Sequence, residues 1–200
     1  MILARFFTPD VRPSDQQKAL DGMATLMGDS RYHRVVSATG FLATKGGYGY
    51  RDALCNVWGV DLGHQNQDLV ILEQDLVPSC EQLEAFEACP YEVCVQAYRI
   101  YPCSTRLPNP VYAHRVKDSS REPPFRWIED GEEWADRWGL GLARISENVC
   151  RDFPLDRFYG DSRWHHTNCD TLLSQYLNEY GIRAHVHWPE VPHFHTGETV

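Results

Sequence analysis

Residues 69–72 read Leu-Val-Ile-Leu, and the next three read Glu-Gln-Asp. Four apolar residues in unbroken succession lack the alternation of a half-exposed strand. They describe a strand buried on both faces. Such a strand restricts the fold to a sheet with layers packed above and below it. The run then ends in two carboxylates, Glu73 and Asp75, two positions apart. A buried strand has no structural need for them, so they pose a question about function.

The surrounding sequence supplies the layers. Residues 2–7 read as a first strand, broken by Thr8-Pro9-Asp10. Ser14 and Gln17 form a capping-box pattern, and Leu20, Met23, Leu26 and Met27 recur at helical spacing up to Gly28. Val35 and Val36 mark a second strand, and a glycine-rich loop, TKGGYGY, occupies 44–50. Residues 50–60 read as a helix with Ala53, Leu54, Val57 and Trp58 on one side. After the opening strand, Ser79 and Gln82 make a second capping box, with Leu83 and Phe86 facing inward. Cys94 to Tyr101 is a further strand candidate. This alternation predicts an α/β fold: a single domain over 1–200, with a mostly parallel twisted sheet flanked by helices.

Residues 104–133 are polar, charged and proline-rich, and are expected to form a mobile loop or an insertion. Residues 139–146, GLGLARIS, return to a strand pattern. A capped helix is expected near 167–180, burying Leu172, Leu173, Tyr176 and Leu177 and ending at Gly181. In the closing strand Ala184, Val186 and Trp188 alternate with His185 and His187.

Net charge is -9, from 19 basic and 28 acidic residues, which argues against coating nucleic acid by bulk electrostatics. No apolar stretch approaches the roughly 20 residues needed to span a bilayer. MILARFFTPD carries an Arg inside a short apolar run and reads as a strand, so a cytoplasmic location is expected, in a host cell if the chain is viral. Seven cysteines are scattered through the expected elements and read as reduced thiols. Cys80, Cys89, Cys94 and Cys103 do not have the close pairing of zinc fingers.

Carboxylates two apart on a strand project to one side. Two oxygen donors there suit a hard cation, Mg2+ or Mn2+, which also grips substrate phosphates; an exposed acidic turn would show the same letters. Asp170, in the first turn of the 167–180 helix, is either a dipole-stabilising residue or a general base at the sheet's ligand-bearing rim. Trp164, His165 and His166 precede it. The loop TKGGYGYRD opens a helix and suits an anion, with Arg51 at its end, but matches neither a P-loop nor a dinucleotide fingerprint. Five of the nine histidines lie between His166 and His195, and imidazole binds first-row metals.

Together these elements resemble a GT-A type glycosyltransferase, and most of all the small glycosyltransferase-like proteins of phages and bacteria. The likeness spans most of the chain and rests on three stretches. GYRDALCNVWGVDLGHQNQDLVILEQDLVP looks like the family's block ending in a D-x-D-type metal motif, here Glu73-Gln74-Asp75. LGLARIS followed by WHHTNCDTLLSQYLNEYG is similar to the acceptor segment and the helix bearing an acidic residue, here Asp170. HVHWPEVPHFH resembles the closing strand, from which many members supply a histidine to the metal.

The resemblance implies a hexosyltransferase (EC 2.4) that uses a nucleotide sugar, expected to be a UDP-sugar, with Mn2+ or Mg2+. It implies metal ligation by Asp75, His193 and His195, and donor binding by Thr8, Pro9, Asp10, Arg51 and Glu73. It also implies a catalytic role for Asp170 and an acceptor surface at Trp164 and His165. The first motif position is Glu where the family has Asp, so metal contact falls to Asp75. The acceptor is open: a glycan, a small molecule, a protein, or a hydroxylated base in phage DNA. Arg99, Arg106, Arg115, Lys117, Arg121 and Arg126 make the middle segment locally basic, which is compatible with DNA. Two readings from other classes compete: a non-catalytic nucleotide-sugar or carbohydrate binding module, and a structural zinc protein held by Cys and His.

Overall fold

The structure, a computed structural model, describes residues 2–6, 34–37, 51–52, 54–55, 57–58, 67–73, 76, 78–100, 110–165, 167–191, 194–195 and 198–199. Of residues 2–6, 34–37, 165, 194–195 and 198–199 it describes the backbone alone. The Ser14–Gln17 capping box, the first helix and the glycine-rich loop lie outside the described residues.

In chain order the strands are β1 (Ile2–Phe6), β2 (Arg34–Ser37), β3 (Leu69–Glu73), β4 (Val93–Gln96), β5 (Arg99–Ile100), β6 (Val111–Tyr112) and β7 (Arg115–Lys117). They continue with β8 (Phe125–Trp127), β9 (Trp134–Ala135), β10 (Leu142–Ile145), β11 (Ala184–His187), β12 (Phe194–His195) and β13 (Glu198–Thr199). The helices among the described residues are α1 (Cys80–Glu87), α2 (Glu147–Asp152), α3 (Leu155–Tyr159) and α4 (Cys169–Glu179).

Seven strands form one sheet in the order β2-β1-β3-β10-β4-β11-β9. The β1–β2, β1–β3 and β4–β11 pairings are parallel; β10–β3, β10–β4 and β9–β11 are antiparallel. The sheet is therefore mixed, where the strand–helix alternation pointed to a mostly parallel one. β2, β1, β3, β4 and β11 share one direction, and the reversed β10 is inserted between β3 and β4. The run Leu-Ala-Arg-Ile of β10 carries no record of direction: an apolar strand buried on both faces looks the same read from either end.

Period-two alternation divides the core. Leu69 and Ile71 of β3 join Val93, Val95, Ala143, Ile145, Ala184 and Val186 on one face. There α2, α3 and α4 cover the sheet with Cys150, Phe158, Leu172, Leu173, Tyr176 and Leu177. Leu54, Val57 and Trp58 join them, from helical turns at 51–52 and 54–55 and a wider turn at 57–58. The other face carries Val70, Leu72, Cys94 and Leu142 under Leu83 and Phe86 of α1. Full burial of one such side chain stabilises by about 1.5–3 kcal/mol, so the apolar run at 69–72 earns its place on both sides.

Local sequence sets the helix ends. Ser79 Oγ accepts from the Gln82 N–H, and Gln82 Oε1 accepts from the Ser79 N–H, completing the capping box of α1. α4 starts at Cys169 with Asn168 at its N-cap, and no side-chain bond caps it. It ends at Glu179, and the turn beyond closes at Gly181, whose φ of +76° lets its N–H reach the Asn178 carbonyl while Ile182 N–H reaches that of Leu177. Within the polar segment expected as a loop or insertion, residues 110–133 are built into short ladders. β5 pairs with β6 and β7 with β8, both antiparallel. Arg126 is clamped there by Glu132 and Arg99 by Glu190, at 2.5 and 2.8 Å.

The cysteines depart from the expected reduced set at one pair: Cys89 and Cys94 are joined as a disulfide. Cys55, Cys80, Cys150 and Cys169 are free.

Candidate active site

Glu73 ends β3, in phase with Leu69 and Ile71, which assigns its side chain to the face covered by α4. Leu76 N–H bonds back to its carbonyl at 3.4 Å, so the chain turns immediately after the strand. The N-terminus of α4 comes to the same place. Cys169, its first residue, is buried, and burial pushes its thiol pKa well above the usual value. The charges of Asp170, Cys55 and Glu73 push it further up, while Arg51 opposes them. Residues 51, 73 and 170, separated by up to 119 positions in the chain (170 − 51), thus meet within electrostatic reach of one thiol.

Asp170 is partly accessible, and its carboxyl pKa is raised by desolvation. Hydrogen bonds to the carboxylate work against that rise, among them Thr171 N–H donating to Oδ1 at 2.7 Å. The positive charge of Arg115 also opposes it. Arg115 stacks on Trp127 with its guanidinium carbon 3.8 Å from the ring centroid. A carboxylate less acidic than usual, at a helix N-terminus and beside a cation, is chemically suited to accept a proton from a hydroxyl. The N-terminal position also gives it a structural use, since negative charge is stabilised there.

Arg51 is engaged locally. It pairs with Asp52 at 2.8 Å and lies 4.4 Å from the Tyr159 ring centroid and 5.7 Å from that of Trp164. Trp164 takes a different place from the acceptor surface expected of it. It is 4% exposed, its ring packs edge-on against Phe158, and its indole N–H donates to the Phe158 carbonyl at 2.6 Å. A ring consumed by the core has no face left for an acceptor. His165 lies in a 3-10 turn (Ser162–His165) just ahead of α4. His195 lies in β12, paired with β13. Thr8, Pro9, Asp10, Asp75 and His193 fall outside the described residues.

Arg115 and Cys169 had no local signal in the sequence. Arg115 was one basic residue among several, 55 positions before Asp170 (170 − 115), and only the return of β7 alongside β9 brings its charge within reach of that carboxylate. Three of the six basic residues of the middle segment are engaged within the chain, Arg99 with Glu190, Arg115 with Trp127 and Arg126 with Glu132, while Lys117 and Arg121 are exposed and Arg106 lies outside the described residues. A groove of about 530 Å³ between Lys117, Arg137, Gln175 and Arg183 runs beside α4 without including Glu73 or Asp170. No described helix is long and apolar enough to cross a membrane.

No protein-family model and no curated protein matches the chain. Solved structures do. The chain is similar to A197 from STIV, at 14% identity over 98% of this chain and 87% of that one, with a TM-score of 0.56. A glycosyltransferase involved in the glycosylation of the major capsid of PBCV-1 has 9% identity over 94% and 81%, TM-score 0.49. The inositol-1-phosphate CTP transferase from T. maritima has 15% identity over 93% and 84%, TM-score 0.46. The last two are alike in outline only, whereas the likeness to A197 shows a fold held in common.

Proposed function

We propose that this chain is a metal-dependent glycosyltransferase that moves a sugar from a nucleotide-sugar donor, a UDP-sugar, to a hydroxyl acceptor. The observation that carries the reading is that Glu73, Arg51 and Asp170 all come within electrostatic reach of Cys169, the first residue of α4, beside the end of β3. Ligands of open α/β sheets bind outside the carboxyl ends of the strands, and this junction is such a place.

Asp170 acts as the base that takes the proton from the attacking hydroxyl, its basicity raised by desolvation. Arg115 holds its charge beside that carboxylate and orients it. Glu73 binds the donor's ribose or a metal-bound water. Asp75, His193 and His195 would hold Mn2+ or Mg2+. Glu73, at the end of β3, supports this by adding a carboxylate at the rim, an oxygen group suited to hydrogen-bond a water held by such an ion. When bound, the cation supplies charge neutralisation of the departing nucleoside diphosphate.

The test is a thermal-shift panel of nucleoside diphosphates with Mn2+ or Mg2+. A ligand at about 100 times its dissociation constant adds roughly 2.7 kcal/mol. A rise with UDP that needs the metal supports the reading, and no rise with any nucleotide overturns it.

A further inference from the structure

On the opposite face of the sheet, Cys89, His185 and His187 converge. Alternation along β11 sends Ala184 and Val186 into one core cluster and the two histidines to the other side, and the turn after α1 brings Cys89 over them. One ligand atom from each lies within 4.8 Å of the others, and no other trio of His, Cys, Asp or Glu among the described residues does so. Cys89 Sγ is 3.7 Å from His185 Nδ1, and the two imidazole centroids are 4.9 Å apart, edge to face. Tetrahedral ligands at zinc distances lie about 3.5 Å from one another, so small side-chain rotations close the trio. His187 Nε2 is buried with no hydrogen-bond partner among the described residues, although buried polar atoms are normally paired. Arg144 is the neighbouring cation, tied to Asp68 at 2.7 Å and to the Cys89 carbonyl at 2.8 Å, and it donates to Cys94 Sγ at 3.5 Å.

We propose that Cys89, His185 and His187 form a binding site for Zn2+, and that Cys94 controls it by taking the Cys89 sulfur into a disulfide. Thiolate and imidazole are the ligand types zinc selects. In the disulfide, Cys89 has no thiolate to offer. A dithiol reductant opens the bond by giving two electrons and two protons to the sulfur pair, itself becoming a disulfide; the Cys89 thiol then releases its proton to solvent as its thiolate binds the zinc.

The experiment compares wild type, Cys94→Ser, Cys89→Ser and His187→Asn, with circular dichroism confirming that each is folded. Zinc is measured by elemental analysis after dialysis, and Co2+ is titrated as a spectroscopic probe. Reduced wild type should retain one zinc per chain and show a thiolate-to-cobalt charge-transfer band, and oxidised wild type neither. Cys94→Ser should bind in either condition, Cys89→Ser should lose the band, and a folded His187→Asn should bind more weakly. No charge-transfer band in folded Cys94→Ser overturns the proposal, as does zinc retained undiminished in Cys89→Ser. Asp170→Asn should keep its zinc, so this outcome and that of the transferase reading are independent.

Discussion

Replacing Asp170 by Asn separates a catalytic carboxylate from a structural one. Two stability effects oppose each other. Loss of negative charge at the N-terminus of α4 costs about 0.3–1 kcal/mol. Against this, the folded-state pKa of Asp170 is raised by desolvation. The native state therefore holds this proton more tightly than the unfolded chain does. Stability contributed by the group falls as pH rises from the ordinary carboxylate pKa through the raised one. At neutral pH the wild type carries that penalty, and the neutral Asn does not. The net change should stay within about 1 kcal/mol, a Tm shift of about 2–4 °C for a chain of this size. Turnover should fall by about 10² to 10⁴-fold, or roughly 3–5 kcal/mol of barrier. Donor affinity, measured by calorimetry with UDP and Mn2+, should not change. The assay is UDP release from a UDP-sugar alongside a melting curve for each protein. Near-normal turnover in a variant that melts several degrees lower would refute the base assignment and leave Asp170 as a dipole-stabilising residue.

Two further outcomes follow from buried contacts. His114 is fully buried, with Nε2 2.8 Å from the Gln96 carbonyl and Nδ1 accepting from Gly139 N–H, so the neutral imidazole is satisfied at both nitrogens. Burial lowers its pKa to about 4. Below the unfolded value of about 6.5 the unfolded chain binds a proton that the native state refuses, so chemical denaturation should show stability falling as pH drops from 6.5 towards 4; a flat profile over that window would contradict the assignment. Gly141→Ala would set a Cβ 2.7 and 2.8 Å from the Tyr98 ring and against Leu76. It should destabilise by about 1–3 kcal/mol in urea denaturation, and an unchanged midpoint would show that the β10 entry is less tightly packed than described.

Residues 69–72 determined the two-sided burial of β3 by themselves, because an unbroken apolar run has no face to give to water. The Ser79–Gln82 box, the Gly181 stop, the inward set Leu172, Leu173, Tyr176 and Leu177, and the Ala184–Val186 alternation were equally legible. Each is a rule acting over a few residues. The place of Asp170 in the first turn of its helix was legible for the same reason. The tertiary structure alone decided the rest. It reversed β10 and slid it between β3 and β4, a choice set by the path of the intervening chain. It drew Trp164 into the core, because an aromatic beside histidines reads alike whether it stacks on a ligand or on Phe158. It brought Arg115 to Asp170 and Cys89 to His185 and His187, meetings between residues 55 and up to 98 positions apart (170 − 115; 187 − 89). Spacing in the sequence records such contacts only within one helix or strand; across a sheet they are fixed by strand order and by which face each side chain is given.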